Sequence, residues 1–244
     1  MERLEPLQPP PNWGQDEVSN FLEIAHRNGY GSFVLLRQPF AKIIAIDAFY
    51  RRVIDNLNHS RDWFAAFFVL RAHSSFLGAC RLAVSGQIPE AYMLLRGCLE
   101  NAQYGFYIAS CPELREVWLR RHDDEASMRL VKQEFRVGTI FERLTLANAQ
   151  VAEIAKTLYD RTIDYGAHPN ERALMQVLNM QRGADEIRLE VRYLSSGDEA
   201  AFGLCLKSTA QVGVCALDMF GIVFRERFEI LGLMGELQAL KVDL

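Results

Sequence analysis

Two sets of polar residues lie at helical spacing inside apolar stretches, and the chemistry open to the chain starts with them. Arg96, Glu100, Gln103 and Tyr107 follow one another at i, i+4, i+7 and i+11, which lines them along one side of a helix otherwise carrying Leu94, Leu95, Leu99, Ala102 and Phe106. Upstream, Arg71, Ser74, Ser75, Gly78 and Arg81 make a small-and-polar stripe at i, i+3, i+4, i+7 and i+10. An ionised guanidinium in apolar surroundings must find a partner or stay a costly unpaired charge, and Glu100 stands one turn from Arg96. Two outcomes satisfy that requirement. Either the seam closes on its own ion pairs, or it forms a cleft in which Arg71, Arg81, Arg96 and Glu100, walled by Tyr104 or Tyr107, hold a small anionic ligand.

The stretch Gly86-x-x-x-Glu90-Ala91-x-x-x-x-Arg96-x-x-x-Glu100 resembles a pattern found in uncharacterised bacterial helical proteins, in which a glycine turn precedes a helix carrying Glu-Ala and then Arg and Glu. The resemblance covers about fifteen positions and implies a helical bundle in a bacterial setting, with no activity attached.

Arg161-Thr162-Ile163-Asp164-Tyr165-Gly166-Ala167-His168 is a further constellation. Continued as a helix, it would put Arg161, Asp164, Tyr165 and His168 on a shared face. It is similar to the Arg-x(4 to 6)-His motif of HEPN-type ribonucleases. That resemblance implies metal-independent attack of an RNA 2′-hydroxyl on the scissile phosphate, usually across a dimer interface. His168 would then assist proton transfer and Arg161 would stabilise phosphorane charge. Nucleic acid is a partner only under this alternative. The simpler placement makes His168 a C-terminal histidine near the negative end of a helix dipole.

Metal and cofactor chemistry finds no matching pattern. Glu23-x-x-His26 is a single copy on a short terminal helix, whereas a di-iron bundle needs two such motifs and two further carboxylates. Zinc spacing, phosphate-binding glycine loops and a nucleophile elbow are lacking, so neither a metal nor a cofactor is expected. His73, in an apolar helix, reads as a hydrogen-bonded core residue.

The composition sets the frame for these residues. Half of the 244 residues are apolar, enough for a sizeable core, and the formal charge of −4 gives no global attraction to nucleic acid. Five cysteines without a Cys-x-x-Cys pair read as reduced, buried thiols. The acidic, proline-bearing start is unlike a signal peptide, and uninterrupted apolar runs fall short of a membrane span, so the expectation is a cytoplasmic protein without a membrane partner.

Helical periodicity predicts a mainly α protein, a helical bundle of about seven helices with one small β-hairpin insertion near 174–194. Residues 1–13 form an extended lead-in and 14–244 a single domain. Asp16 caps a first helix that stops at Asn28-Gly29 and Gly31, and Pro39 opens the next, which ends at Asn56 and Asn58. A central helix from Arg61-Asp62 ends at Gly86, and Pro89-Glu90 starts its antiparallel partner. After Pro112 comes a charged helix through Arg120 to Glu125. A capping box at Thr139 and Glu142 then opens a helix that runs to Gly166. Ile187, Leu189, Val191 and Tyr193 alternate as one strand, paired with Met175 to Met180 across Arg182-Gly183-Ala184-Asp185. Ser195-Ser196-Gly197-Asp198 begins a last long helix, spent by about Leu231, and an exposed apolar side on it would suggest a homodimer.

Overall fold

A computed structural model describes residues 8–57, 63–169, 171–183, 186–195 and 200–244. Over these the chain is mainly α-helical, with twelve α-helices and one two-stranded antiparallel hairpin. The expected roles of Asn58, Arg61-Asp62, Ala184-Asp185 and Ser196 to Asp198, and the first part of the lead-in, lie outside the described residues.

The first half holds α1 (Glu17–Leu35), α2 (Arg37–Asp55), α3 (Trp63–Ser85) and α4 (Ile88–Ser110). Asp16 caps α1 by accepting the Ser19 amide at 2.9 Å. The helix then runs through Gly29 and Gly31 instead of stopping there. Tertiary docking explains the difference: the Asn28 amide and the Ser32 hydroxyl donate to the carbonyls of Ser85 and Val84, satisfying the last carbonyls of α3. Those contacts offset a glycine penalty of about 1 kcal/mol per residue.

The α3–α4 hairpin is the centre of the bundle. Gly86 ends α3 with a φ of +86°, as its sequence position requires, and Pro89 sits in the first turn of α4. The two helices close tightly because small residues receive large ones, Leu94 against Gly78 and Phe68 against Gly105. Between α4 and the β-hairpin lie α5 (Leu114–Leu119), a 3₁₀ turn (Arg120–His122), α6 (Glu125–Glu134), α7 (Val137–Ala147), α8 (Ala149–Thr162), a π turn (Ile163–Ala167) and α9 (Glu171–Val177).

Three expected helices divide here. The charged helix breaks at the 3₁₀ turn because Asp124 caps a fresh start, accepting the Ser127 amide at 2.7 Å. The helix expected from Thr139 to Gly166 is two, because Asn148 caps α8 through the Val151 amide, while α7 follows Arg136 without a side-chain cap and the expected capping box at Thr139 and Glu142 lies inside it. The last helix is α10 (Ala200–Val223), followed by α11 (Arg225–Ile230) and α12 (Leu233–Leu240), with Gly232 at positive φ between the last two. In the hairpin, β1 (Leu178–Arg182) pairs with β2 (Ile187–Val191) with Met180 opposite Leu189. The partner strand therefore starts three residues later than predicted, because Met175 to Val177 close α9.

The core is continuous across α2, α3, α4, α8 and α10. Tyr50 shows how it is tied: its hydroxyl donates to the Gly213 carbonyl at 3.2 Å, and its ring stacks on His73 and Phe76. His73 is a buried, hydrogen-bonded residue as predicted, its Nε2 2.7 Å from Asp47 Oδ1. Burial works to raise the Asp47 carboxyl, but the bonds from Arg51 and His73 outweigh it and leave Asp47 below its ordinary range. By length and composition α3 and α10 could each cross a membrane, yet half of α3 and two thirds of α10 in that window are buried within the bundle.

Candidate functional site

The expected seam residues separate into three places. Arg96 and Glu100 face α8: Arg96 Nε donates to Glu100 Oε1 at 2.8 Å, Arg96 Nη2 donates to the Tyr159 hydroxyl at 2.7 Å, and that hydroxyl donates to Glu100 at 3.4 Å. The guanidinium also lies over the Tyr159 ring, 4.9 Å from its centroid. The seam here is closed by its own partners. Tyr104 and Tyr107 both pack on Phe135 at the end of α6, one stacked and one edge-on. Arg71 and Arg81 lie exposed on the outer side of α3, away from the Tyr159 knot.

The Arg161 constellation is also divided. The chain leaves regular α-helix at the π turn, where a Cβ on Gly166 would overlap the Pro89 carbonyl oxygen and stand 2.6 Å from its Cα. Each expected face-mate then takes a different course. Asp164 pairs with Arg172, Tyr165 stacks on Tyr92, and His168 is exposed beyond the turn in extended backbone. Arg161 points instead to α10, its Nη1 donating to Ser208 Oγ at 3.1 Å and to Gln211 Oε1 at 2.6 Å. Tyr92, from α4, donates to the same Ser208 hydroxyl at 3.1 Å, so three helices meet in one polar chain that is buried at its Tyr92–Ser208 end and half-buried at Arg161.

This chain forms one end of a cleft of about 450 Å³ between α8, α10 and the segment after α12, within the size range of small-molecule sites. Ile154, Leu158, Val214 and Cys215 supply apolar wall, and Thr157 and Gln211 supply hydrogen-bonding groups. Its charges are unequally compensated. Lys241 pairs with Asp218 at 2.7 Å, and Glu153 is exposed. Arg161 is half-buried, and among the described residues its hydrogen bonds go only to neutral oxygens, with no carboxylate in ion-pair reach. Burial raises the Asp218 carboxyl above its ordinary range, outweighing the lowering by Lys241.

Ser208, Gln211, Asp218 and Lys241 were not among the residues predicted to form a site. Their signal was of the same kind as in α4: Ser208, Gln211 and Asp218 interrupt an apolar helix at i, i+3 and i+10.

No other part of the molecule assembles a comparable set among the described residues. Groups of three or more His, Cys, Asp or Glu side chains placed to hold a metal ion are absent there. On α1, Glu23 accepts from Arg27 and from Trp13, which precedes the helix, and His26 bonds with Tyr30. Burial pushes the Cys98 and Cys205 thiols up to about 12, far from a nucleophilic thiolate at neutral pH. Comparison with known protein families, with curated proteins and with solved structures finds no match to this chain.

Proposed function

We propose that the protein is a cytoplasmic binding protein that holds a small anion with an apolar tail in the cleft between α8, α10 and the C-terminal segment. The observation that carries the reading is Arg161, a half-buried guanidinium at a cleft wall with neutral partners and no counter-ion among the described residues. A buried charge without a partner is costly, and an anion entering the cleft supplies one. Ser208 and Gln211 occupy Nη1 and fix the plane of the guanidinium, so its other nitrogens can bind a carboxylate or phosphate in two-point fashion. The apolar wall beside it favours a ligand with a hydrocarbon portion over a bare inorganic ion. Five free thiols, most of them buried, support the cytoplasmic part of the reading, and the Gly86 to Glu100 resemblance supports a bacterial setting.

Thermal unfolding with hexanoate, hexylamine and inorganic phosphate tests it. Hexanoate is expected to raise the midpoint of the parent protein, while hexylamine leaves it unchanged and phosphate raises it less. The Arg161→Gln variant is expected to lose the hexanoate response, since stabilisation grows as the logarithm of one plus the ratio of free ligand to Kd and vanishes when Kd far exceeds the ligand concentration. An equal response from Arg161→Gln, or none from the parent, would end the proposal. RNA incubated in EDTA provides the contrasting arm: cleavage by the parent that His168→Ala lacks would put a HEPN-like ribonuclease in its place.

A further inference from the structure

We infer that a second copy of this chain covers the outer face of α3, making an antiparallel helix pair across a two-fold axis. Trp63, Phe67, Leu70, Ser74, Leu77 and Arg81 are all exposed, and they succeed one another at alternating steps of four and three. That alternation is the a/d spacing of a two-helix seam. It is narrower than the broad stripe a helix presents to a globular core, and α3 already has its core face, with Val69, Ala72, Phe76 and Ala79 fully buried.

The seam is self-complementary when run against itself. Antiparallel pairing about a two-fold axis midway along it brings Leu70 opposite Ser74 of the second copy, Phe67 opposite its Leu77, and Trp63 opposite its Arg81. Each contact occurs twice, and each is chemically sound. Ser74 is small enough for the helices to approach at the centre, flanked by Phe–Leu packing. At each end the Arg81 guanidinium, which has no ion-pair or hydrogen-bond partner among the described residues, meets the face of an indole.

The area fits as well. Trp63 and Phe67 are each 54% exposed, Leu70 47% and Leu77 39%. Residues of these sizes present together roughly 400 Å² of apolar surface, the size of the largest patch on a typical monomer, which is often an interaction site. A standard interface buries about 800 Å² per partner, a little over half of it apolar, so this seam supplies nearly the whole apolar share.

Sedimentation equilibrium of the full chain across the micromolar range, with Phe67→Glu and Leu77→Lys variants, tests the inference. The parent is expected at twice its 27.8 kDa chain mass. Each variant alone is expected to be monomeric with an unchanged far-UV circular dichroism spectrum, its dimer weakened roughly a hundredfold or more by the unpaired charge at the interface. Mixing the two is expected to restore a dimer, because position 67 of one faces position 77 of the other and Glu meets Lys; a parallel pair would juxtapose like positions and form no Glu–Lys contact. A monomeric parent, a mass insensitive to both substitutions, or a mixture that stays monomeric overturns the inference. So does flotation of the parent with phosphatidylcholine vesicles, which would make the same face a lipid contact.

Discussion

Arg96 satisfies its charge twice, once through Glu100 on its own helix and once through Tyr159 on α8, and only the first partner was legible in the sequence. A contact four residues away follows from helix geometry; one 63 residues away depends on how two helices dock. The same limit hid Arg161's partners, 47 and 50 residues off, although the arginine itself stood out. The Tyr159 contact joins separate elements, so it should contribute to tertiary stability where the partly exposed Glu100 pair contributes little. Urea unfolding of Arg96→Gln, Tyr159→Phe, Tyr159→Leu and the corresponding double variants isolates it. Tyr159→Phe keeps the ring beneath the cation and removes only the hydroxyl. A coupling of about 0.5–2 kcal/mol between Arg96 and the whole Tyr159 side chain is expected, with part of it surviving in Tyr159→Phe. Since the knot is closed on its own partners, Arg96→Gln is expected to leave the hexanoate response intact.

Elements were legible where their periodicity was long and their ends local. The hairpin of α3 and α4, the stop at Gly86 and the start at Pro89 all came from residues that act within one turn. The breaks that escaped prediction have their causes elsewhere or in a single capping side chain. Asn148 divides α7 from α8 with one hydrogen bond, and α1 passes through two glycines because α3 receives its side chains. The α3–α4 turn joins these levels. The Ser195 amide donates to the Gly86 carbonyl at 2.9 Å, while Gly166 lies against Pro89, so two distant segments rest on one short connection. Gly166→Ala would drive a methyl into the Pro89 backbone, where no side-chain rotation can relieve it. A loss of roughly 2–4 kcal/mol in urea unfolding is expected, against a gain of about 0.5–1 kcal/mol for Gly203→Ala, where the added carbon meets nothing within 4 Å and the backbone is helical. Equal effects at the two sites would show that the α4–π turn contact does not constrain the fold.

At the scale of the whole molecule, the cleft exists because the chain's end returns to its middle. Lys42 on α2 donates to the carbonyls of Leu240 and Val242, Arg52 pairs with Glu236, and Lys241 then reaches Asp218 on α10. Sequence periodicity could mark α10 as a core helix but could not show which residue of the tail would oppose Asp218. That ion pair holds the cleft wall at an energetic cost, because burial disfavours the ionised carboxylate more than Lys241 favours it. A carboxyl raised in the folded state contributes stability that is fully present below its unfolded value of about 4 and is lost as pH rises through the folded value. The parent is therefore expected to lose stability over the span above pH 4 relative to Asp218→Asn, which has no proton to release. Comparing the two unfolding midpoints from pH 4 to pH 7 should show the difference shift in favour of the variant and then level off. The same substitution removes a negative charge from the wall of a site proposed to take an anion and leaves the positive charge of Lys241 uncompensated. Hexanoate is therefore expected to bind Asp218→Asn several-fold more tightly than the parent, on the order of the 1 kcal/mol that one nearby charge contributes at a partly solvated distance. Unchanged or weaker hexanoate binding would mean that the ligand does not sense the charge at Asp218, and the placement of the anion in this cleft would fail.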